Sequence, residues 1–518
     1  MCIRDRVYVV PFAAPGDIVT VKVVRSMAEE AYTLTDFLSV KTPGPLRTET
    51  PRCPYFTQCS GCQFQHLPYA YQLAHKRTIV EKAYANFSKL PAHLVPGVGE
   101  TIGSPLQYGY RTKLTPHFDE PSGARSKRRH GDKVTWPEVP PIGYMKKGTK
   151  KTMDIEECPI GTEAVQMGLE RERRRVGREI EKYQRGATLL LRENTERMKK
   201  SDVKAEDGVK AEDGVKAESD FKMENDARAE GESNGGEDVV MEDRGNYVHH
   251  KTCITDPKAT STEYVDDFRF DNPAGAFFQN NNSILPLITQ YIRDNALGPA
   301  DSMRPKTKNM IDAYCGSGFF TISLSQTFER SIGIDISGQS IASASNNAKL
   351  NNLPADSTTF IASDANDLFA AIPSGAFPAA ETVVVIDPPR KGCDQGFIRQ
   401  LMAYGPERVC YVSCNVHTQA RDVGWLVGGL ADEEGLTMGG LYEIESLRGF
   451  DFFPQTGHVE GVAVLRKKRR EGVNGEAKAS AFAASKQNPE AKADAKSEAS
   501  SGVTEAAKIE ALARAGLL

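Results

Sequence analysis

Between residues 264 and 466, short apolar runs typical of buried strands alternate with stretches typical of helices. This alternation is the feature that most limits the possible folds, because strands connected by crossover helices build a doubly wound α/β sheet. In such a sheet, ligands bind beyond the carboxyl ends of the strands. The residues that directly follow each predicted strand are therefore the first candidates for a functional site.

The first of these strands begins at Asn309 and ends in a glycine turn. The run Asp312-Ala-Tyr-Cys-Gly-Ser-Gly318 places two glycines where the backbone must pass close to a ligand. The next strand ends at Asp335, where nucleotide-binding folds hold ribose hydroxyls. A third glycine and a phosphate-binding lysine are absent, which favours an adenosyl ligand without phosphates. A purely structural turn remains the alternative.

Two further strands end in reactive side chains. The run Thr382-Val-Val-Val-Ile-Asp-Pro-Pro-Arg390 predicts a buried strand that stops at two prolines and leaves Asp387 at its carboxyl end. Cys414 follows the next strand at the same edge. A thiolate that adds to carbon 6 of a uracil makes carbon 5 able to attack a methyl sulfonium. We interpret Cys414 as that nucleophile, although a lone cysteine is more often a small buried residue.

Five motifs in order resemble the RNA 5-methyluridine methyltransferase family, from about Val7 to Arg466. They are Phe270 to Asn281, Asp312 to Gly318, Asp387 to Arg390, Ser413 to Asn415 and His458 to Gly461. The chain is similar to fungal members that act on uridine 54 of the tRNA T-loop. The resemblance implies an α/β fold with a class I S-adenosylmethionine-dependent methyltransferase (Rossmann-like) domain.

The same resemblance implies roles for individual residues. S-adenosylmethionine would be the cofactor, contacted by Gln279, Tyr314, Asp335 and Asp387. Cys414 would be the nucleophile, and Glu460 would remove the proton from carbon 5.

Other segments predict further domains. Residues 1–45 are similar to a TRAM domain, an RNA-binding OB-like β-barrel, although its first strand is missing, as if the chain began inside a domain. The predicted division of the remaining chain is a central α+β domain (46–192), a disordered insertion (193–250), the methyltransferase domain (251–467) and a disordered tail (468–518). The central domain carries a basic loop from Arg125 to Arg129.

A cysteine cluster lies in the predicted central domain. Cys53, Cys59 and Cys62 are close in sequence, and Cys158 is a distant fourth. This spacing resembles the ligation of an iron-sulfur cluster, and relatives in the bacterial rRNA branch hold a 4Fe-4S cluster in this way. Zinc also accepts four thiolates, and unligated thiols are the third alternative. Either metal would be structural, because the proposed chemistry needs no redox step.

Charge and hydropathy alone do not identify the binding partners of this chain. The net charge is −4, but acidic and basic residues are segregated, so charge neither proves nor excludes RNA. The absence of an apolar run of about 20 residues and of a secretory signal predicts an intracellular protein without a membrane partner. The expected location is cytoplasmic, nuclear or mitochondrial. The expected partner is a tRNA substrate, with no obligate protein partner.

Three alternative functions remain open at this point. They are a 5-methyluridine methyltransferase acting on rRNA, a 5-methylcytidine enzyme of related chemistry, and a non-catalytic RNA-binding or RNA-folding protein. The 5-methylcytidine enzymes usually present a second cysteine in the crevice, which the Asp387-Pro-Pro-Arg390 motif does not offer. Intact Cys414 and Glu460 speak against the non-catalytic protein.

Overall fold

The computed structural model describes most of the chain between its termini. The described ranges are 2–3, 6–27, 32–201, 239–298, 306–363, 368–372, 375–431 and 437–469. Within these ranges, none of the helices combines the length and apolar character that crossing a bilayer requires.

The N-terminal β-rich runs form one four-stranded sheet. Its strands are β1 (Cys2–Ile3), β2 (Arg6–Val9), β3 (Ile18–Met27) and β4 (Tyr32–Thr42), in the order β1-β2-β4-β3. The β3–β4 pairing shifts register at three points, as β-bulges do. Before β3, the Asp17 carboxylate accepts hydrogen bonds from Ala14 N and Gly44 N and pairs with Arg47 at 2.7 Å. The predicted strands are present, and their TRAM character stays a prediction.

The central part of the chain contains two more four-stranded sheets and three helices. The helices are α1 (Tyr69–Phe87), α2 (Ala124–Arg129) and α3 (Glu163–Glu179). The strands are β5 (Lys113–Leu114), β6 (His117–Phe118), β7 (Gly143–Met145), β8 (Thr152–Asp154), β9 (Ala187–Thr188), β10 (Leu191–Lys199), β11 (Val240–Arg244) and β12 (Tyr247–Ile254). Their orders are β8-β7-β6-β9 and β11-β12-β10-β5. Helix α3 buries Val165 and Leu169 against Leu191 of β10 and Cys253 of β12.

The prediction of disorder over residues 193–250 is wrong at both ends. Strands β10 and β12 pair antiparallel over eight residue pairs, and β11 pairs with the other edge of β12. The charged residues that weaken the apolar pattern are matched across the strands: Lys251 Nζ lies 3.2 Å from Glu193 and 2.8 Å from Glu242. Opposite charges facing each other across strands stabilise a sheet without apolar residues. Residues 202–238, and the predicted tail from residue 470, lie outside the described residues.

A seven-stranded sheet organises the C-terminal part of the chain. It follows a hairpin of β13 (Thr260–Val265) and β14 (Phe268–Pro273). Its strands are β15 (Asn309–Ala313), β16 (Arg330–Asp335), β17 (Thr358–Ala362), β18 (Thr382–Ile386), β19 (Arg408–Ser413), β22 (Tyr442–Phe450) and β23 (Glu460–Lys467); the short pair β20 (Gly429–Ala431) and β21 (Thr437–Gly439) lies apart. The helices are α4 (Leu285–Ala296), α5 (Phe319–Ser323), α6 (Gly338–Leu350), α7 (Gln395–Tyr404) and α8 (Val416–Gly428).

The strand order of this sheet creates a crevice. The order is β17-β16-β15-β18-β19-β23-β22, with β15 to β19 mutually parallel and β23 antiparallel to both of its neighbours. The chain proceeds from β15 to β17 in one direction and from β18 onward in the other, so β15 and β18 flank the switch point where such sheets bind ligands. This topology confirms the predicted α/β class.

Alternate side chains of the sheet fill two apolar cores. Ile311 and Val384 face one core, which also contains Val80 and Tyr84 of α1. Met310, Val383 and Val385 face the other core, together with α4 and α5. Because α1 also packs on α8, a helix of the central region lies directly beside the strands that carry the predicted site.

Candidate active site

The glycine turn after β15 has the backbone conformation that its sequence predicts. Tyr314, Gly316 and Gly318 adopt positive φ angles of 66°, 54° and 88°. A Cβ at Gly318 would lie 3.1 Å from α6, whereas one at Gly316 would meet no atom within 4 Å. Asp335 Oδ2 accepts a hydrogen bond from Gly316 N at 3.0 Å. The structure therefore brings the predicted residues Tyr314 and Asp335 to one turn, with open space beside the Gly316 backbone.

Two residues around this turn were missed as functional candidates. Asp312 is fully buried in β15, and its Oδ2 accepts hydrogen bonds from Thr321 N (2.9 Å) and Thr321 Oγ1 (2.6 Å), which joins the strand to α5. Burial raises the pKa of Asp312 to about 7. Ile336, directly after Asp335, is 69 % exposed although it is a large apolar residue. A carboxylate inside an apolar strand was the available sequence signal for Asp312.

The loop after β18 is tied to the loop after β19. Asp387 N donates to Ala313 O of β15 at 3.4 Å. Further along the loop, the carbonyl oxygen of Arg390 accepts hydrogen bonds from Asn415 Nδ2 (3.0 Å) and Thr418 Oγ1 (3.1 Å). Burial, and then the nearby charge of Asp312, raise the pKa of Asp387 to about 7. The Asp-Pro-Pro-Arg segment and the start of α8 therefore form one connected wall of the crevice.

Cys414 lies at the end of this wall. Burial, and then the negative charges of Glu460 and Asp387, raise the pKa of the Cys414 thiol to about 12. The guanidinium of Arg390, which hydrogen-bonds to the thiol, opposes that rise. Arg390 is thus the cation that favours the reactive thiolate.

Glu460 reaches the same place from the antiparallel strand. Ser413 of β19 pairs with Gly461 of β23, so Glu460 begins β23 beside Cys414. Glu460 is only 3 % exposed, and burial followed by the charge of Asp387 raises its pKa well above the ordinary value. The two predicted catalytic residues, Cys414 and Glu460, therefore lie close to Asp387 and Arg390, and the four side chains form one electrostatic cluster.

Among the described residues, Gln279 forms no hydrogen bond with the side chains of this cluster. It is half-buried in the segment after β14. The next residues hold that segment in place: Asn280 O accepts from Thr112 N (2.9 Å), and Asn281 Nδ2 donates to Phe452 O (3.1 Å). The cofactor contact of Gln279 therefore stays a prediction.

The four predicted metal cysteines lie around one cavity of about 290 Å³. Cys53, Cys59, Cys62 and Cys158 all line it. Burial, together with the neighbouring thiols, raises the pKa of Cys62 to about 11 and that of Cys158 to about 12, although a hydrogen bond from Gln65 opposes the rise at Cys62. Among the described residues, however, no group of three or more Cys, His, Asp or Glu side chains has the arrangement of a metal site. Cys158 thus lies at the same cavity as the other three, and the role of the four as metal ligands stays a prediction.

The sheet topology and the glycine turn define a class I methyltransferase fold. A solved structure shares it: tRNA (uracil-54, C5)-methyltransferase from Pyrococcus abyssi in complex with S-adenosyl-L-homocysteine. Its TM-score to this chain is 0.55 at 23% sequence identity, and the match covers 88% of this chain and 95% of that one.

Sequence comparison identifies the family. Residues 263–468 match the family model described as tRNA (Uracil-5-)-methyltransferase. The chain is 41% identical over 472 residues to tRNA (uracil(54)-C(5))-methyltransferase of Schizosaccharomyces pombe, covering 90% of this chain and 75% of the relative. It is 40% identical over 482 residues to the Saccharomyces cerevisiae protein of that description, covering 90% and 70%. The chain belongs to the tRNA (uracil-5-)-methyltransferase family, which confirms the resemblance found in its motifs.

Proposed function

We propose that this protein transfers a methyl group from S-adenosylmethionine to carbon 5 of uridine 54 in tRNA. The observation that carries the proposal is the cluster of Cys414, Glu460, Asp387 and Arg390 at the carboxyl edge of the sheet. The two fungal relatives, both described as uracil-54 methyltransferases, support the choice of nucleotide.

In the first step, the Cys414 thiolate adds to carbon 6 of the uracil. Arg390 assists because its positive charge opposes the rise in the thiol pKa caused by burial and nearby carboxylates. When bound, S-adenosylmethionine supplies a methyl group on a positively charged sulfur, which the activated carbon 5 attacks. The target base must leave its stack to reach Cys414, because carbon 5 and carbon 6 of a stacked base are not both accessible.

In the second step, Glu460 takes the proton that remains on carbon 5. The electron pair of that carbon–hydrogen bond restores the double bond between carbons 5 and 6, and the Cys414 thiolate leaves. A carboxylate whose pKa is raised by burial is a stronger base than an exposed one, which suits Glu460 to this transfer.

The residues at the glycine turn fit an adenosyl group. Asp335 lies at the carboxyl end of β16, where a ribose would be held, and the open side of Gly316 leaves room for a ligand against the backbone. Tyr314 lies in the same turn. We therefore assign the cofactor contacts to Tyr314, Asp335 and Asp387, and retain Gln279 as a fourth.

Other parts of the chain would serve RNA binding and stability. We propose that the N-terminal sheet is a TRAM-type RNA-binding module. We also propose that the four cysteines hold a structural metal group, a 4Fe-4S cluster or zinc; their common cavity supports this. The free cysteines of the described residues are compatible with a reducing location in cytoplasm, nucleus or mitochondrion.

Methyl transfer to defined RNAs tests the proposed function. The purified protein should form 5-methyluridine in a tRNA transcript with uridine at position 54, and none in the same transcript with cytidine there. An rRNA fragment is the control for the alternative substrate. Methylation of the rRNA but not of the tRNA would overturn the tRNA assignment, and the absence of methylation in both would overturn the activity.

A further inference from the structure

The segment between β22 and β23 leads directly to Glu460. It has no regular secondary structure, yet Asp451 and Gln455 within it are buried. Many of its contacts come from a distant part of the chain, residues 63 to 76, which includes the start of α1, and others come from Ile102, Tyr110 and Asn281. Because β23 begins directly after this segment, a change in these contacts can reach Glu460.

Gln72 and Gln455 form a reciprocal amide pair at the centre of this contact. Gln72 Nε2 donates to Gln455 Oε1, and Gln455 N donates to Gln72 Oε1, both at 3.1 Å. Gln72 is 1 % exposed and Gln455 is 2 % exposed. Gln455 also has a φ of 70°, a left-handed conformation that a glutamine adopts only when its surroundings impose it.

Two further residues hold the same segment. Gln63 Oε1 accepts from Gly457 N at 2.8 Å, and Gln63 N donates to Gln455 O at 2.7 Å. Lys76 Nζ donates to Phe453 O at 3.0 Å and forms a buried ion pair with Asp451. The segment is therefore fixed by directed polar contacts, which specify position more narrowly than apolar packing does.

Cys414 is held by a different set of contacts. Ser413 Oγ accepts from Asn415 N at 3.1 Å, and Asn415 in turn donates to the Arg390 carbonyl. None of these bonds involves Gln72 or Gln455. A change in the glutamine pair should therefore reach Glu460 without displacing the nucleophile.

We propose that Gln72 and Gln455 are positioning residues that set Glu460 for removal of the proton from carbon 5. The proposal rests on the proposed function. It predicts that loss of the pair slows the second step of the reaction and leaves the first step unchanged, because only the second step uses Glu460.

Two variants test this assignment. Gln455→Asn keeps a residue that tolerates a left-handed backbone and loses only the bond that Gln455 Oε1 accepts, because its side chain is too short to reach Gln72. Gln72→Leu removes both bonds to Gln455, together with the bonds that Gln72 Nε2 donates to Phe64 O and Leu67 O. In either variant, the covalent protein–tRNA adduct should form at the wild-type rate and then resolve about 10- to 100-fold more slowly, as a displaced catalytic group does. Rapid-quench samples on denaturing gels measure both rates. Because the step before adduct resolution is unchanged, kcat/KM for tRNA should stay constant, while kcat and KM fall together.

Gln65→Leu is the matched control. Gln65 is equally buried in the segment before α1, but its side chain accepts from Cys53 N and hydrogen-bonds to the Cys62 thiol instead of holding the segment before Glu460. In Gln65→Leu, the ratio of the rate of adduct formation to the rate of adduct resolution should equal that of wild type. Equal slowing of both steps in Gln455→Asn, or normal resolution in both variants, would overturn the positioning role. If wild-type protein is not trapped by tRNA containing 5-fluorouridine, the proposed function itself is wrong.

Discussion

Two cysteine sites of this protein differ in what surrounds the sulfur. Cys414 follows a buried parallel strand and lies beside the guanidinium of Arg390. The other site has four thiols around a cavity lined by irregular segments and strand ends. There, the thiols of Cys53 and Cys59 add to the rise in the pKa of Cys62. At Cys414 a guanidinium hydrogen-bonds to the thiol itself. At the cavity, Arg111 also favours the Cys62 thiolate, but its effect is smaller than those of burial and of the neighbouring thiols, which oppose ionisation.

This difference separates a nucleophile from a set of ligands. A single thiol becomes reactive when one nearby positive charge favours its thiolate. Four half-buried thiols close together cannot all ionise without positive charge between them, because burial and mutual repulsion both disfavour the charged form. On this comparison, the proposed chemistry belongs to Cys414 and the proposed metal binding to the cavity, and the two sites should respond differently to substitution.

The largest expected effect is at the cavity. Cys62→Ala should abolish metal binding and lower the free energy of unfolding by more than about 3 kcal/mol, because binding of a structural metal is coupled to folding. Anaerobic metal analysis and denaturant titration measure both quantities. Iron with matching sulfide indicates a cluster, and zinc indicates the alternative. Cys253→Ala, at a buried cysteine outside the cavity, should keep the metal. A metal-free, fully folded wild-type protein would contradict the assignment.

The next effect is at Arg390. Arg390→Leu should slow formation of the covalent adduct about 100-fold at neutral pH, because each unit of rise in the thiol pKa lowers the thiolate fraction tenfold. Arg390→Lys should recover part of the rate. In wild type and Arg390→Leu the rate should rise about tenfold per pH unit, because the thiol pKa lies above the measured range, so the deficit of Arg390→Leu should stay constant. The rate of adduct formation with tRNA should be measured from pH 6 to pH 9 for each protein. An equal rate in Arg390→Leu and wild type would show that Arg390 does not favour the Cys414 thiolate.

A smaller effect is expected from the carboxyl buried in β15. The pKa of Asp312 rises from 3.8 to about 7 on folding. Between these values the folded protein holds a proton that the unfolded chain releases, so this group makes stability fall as pH rises through that window. Asp312→Asn should remove the dependence, and its stability relative to wild type should increase by on the order of 4 kcal/mol between pH 4 and pH 8. Denaturant titrations at the two pH values test this, and a constant difference would contradict it.

The smallest effect concerns the basic segment Arg125 to Arg129, which was predicted as a loop but forms helix α2, outside both cysteine sites. The sequence predicts RNA contacts for Arg128 and Arg129. In the structure, Arg128 forms an ion pair with Glu120 (2.6 Å) and donates a hydrogen bond to Gln184 O (2.6 Å), whereas Arg129 is exposed. Arg129→Ala should weaken tRNA binding a few-fold and reduce the salt dependence by about one counterion. Arg128→Ala should lower stability and leave that salt dependence unchanged. Filter-binding assays over a range of salt concentrations distinguish the two variants. If the binding constant of Arg129→Ala depends on salt as steeply as that of wild type, Arg129 does not contact the RNA backbone.

Sequence patterns predict the parts of the site that follow buried strands. Asp335 ends a largely buried strand, and Asp387 and Cys414 directly follow buried strands; a parallel sheet brings the ends of such strands to one edge. The strands β10 to β12 were missed because their charged residues hide the alternation that marks a strand. The pairing of Gln72 with Gln455 has no local signal either, since 383 residues separate the two amides.

The central claim is that Cys414 forms a covalent bond to RNA which Glu460 is needed to release. Glu460→Gln should accumulate a methylated protein–tRNA adduct that survives denaturing gel electrophoresis, because attack and methyl transfer proceed but the proton on carbon 5 remains. Cys414→Ala should form no adduct, even with tRNA that contains 5-fluorouridine at the target. Normal turnover by Glu460→Gln, or an adduct formed by Cys414→Ala, would contradict the account.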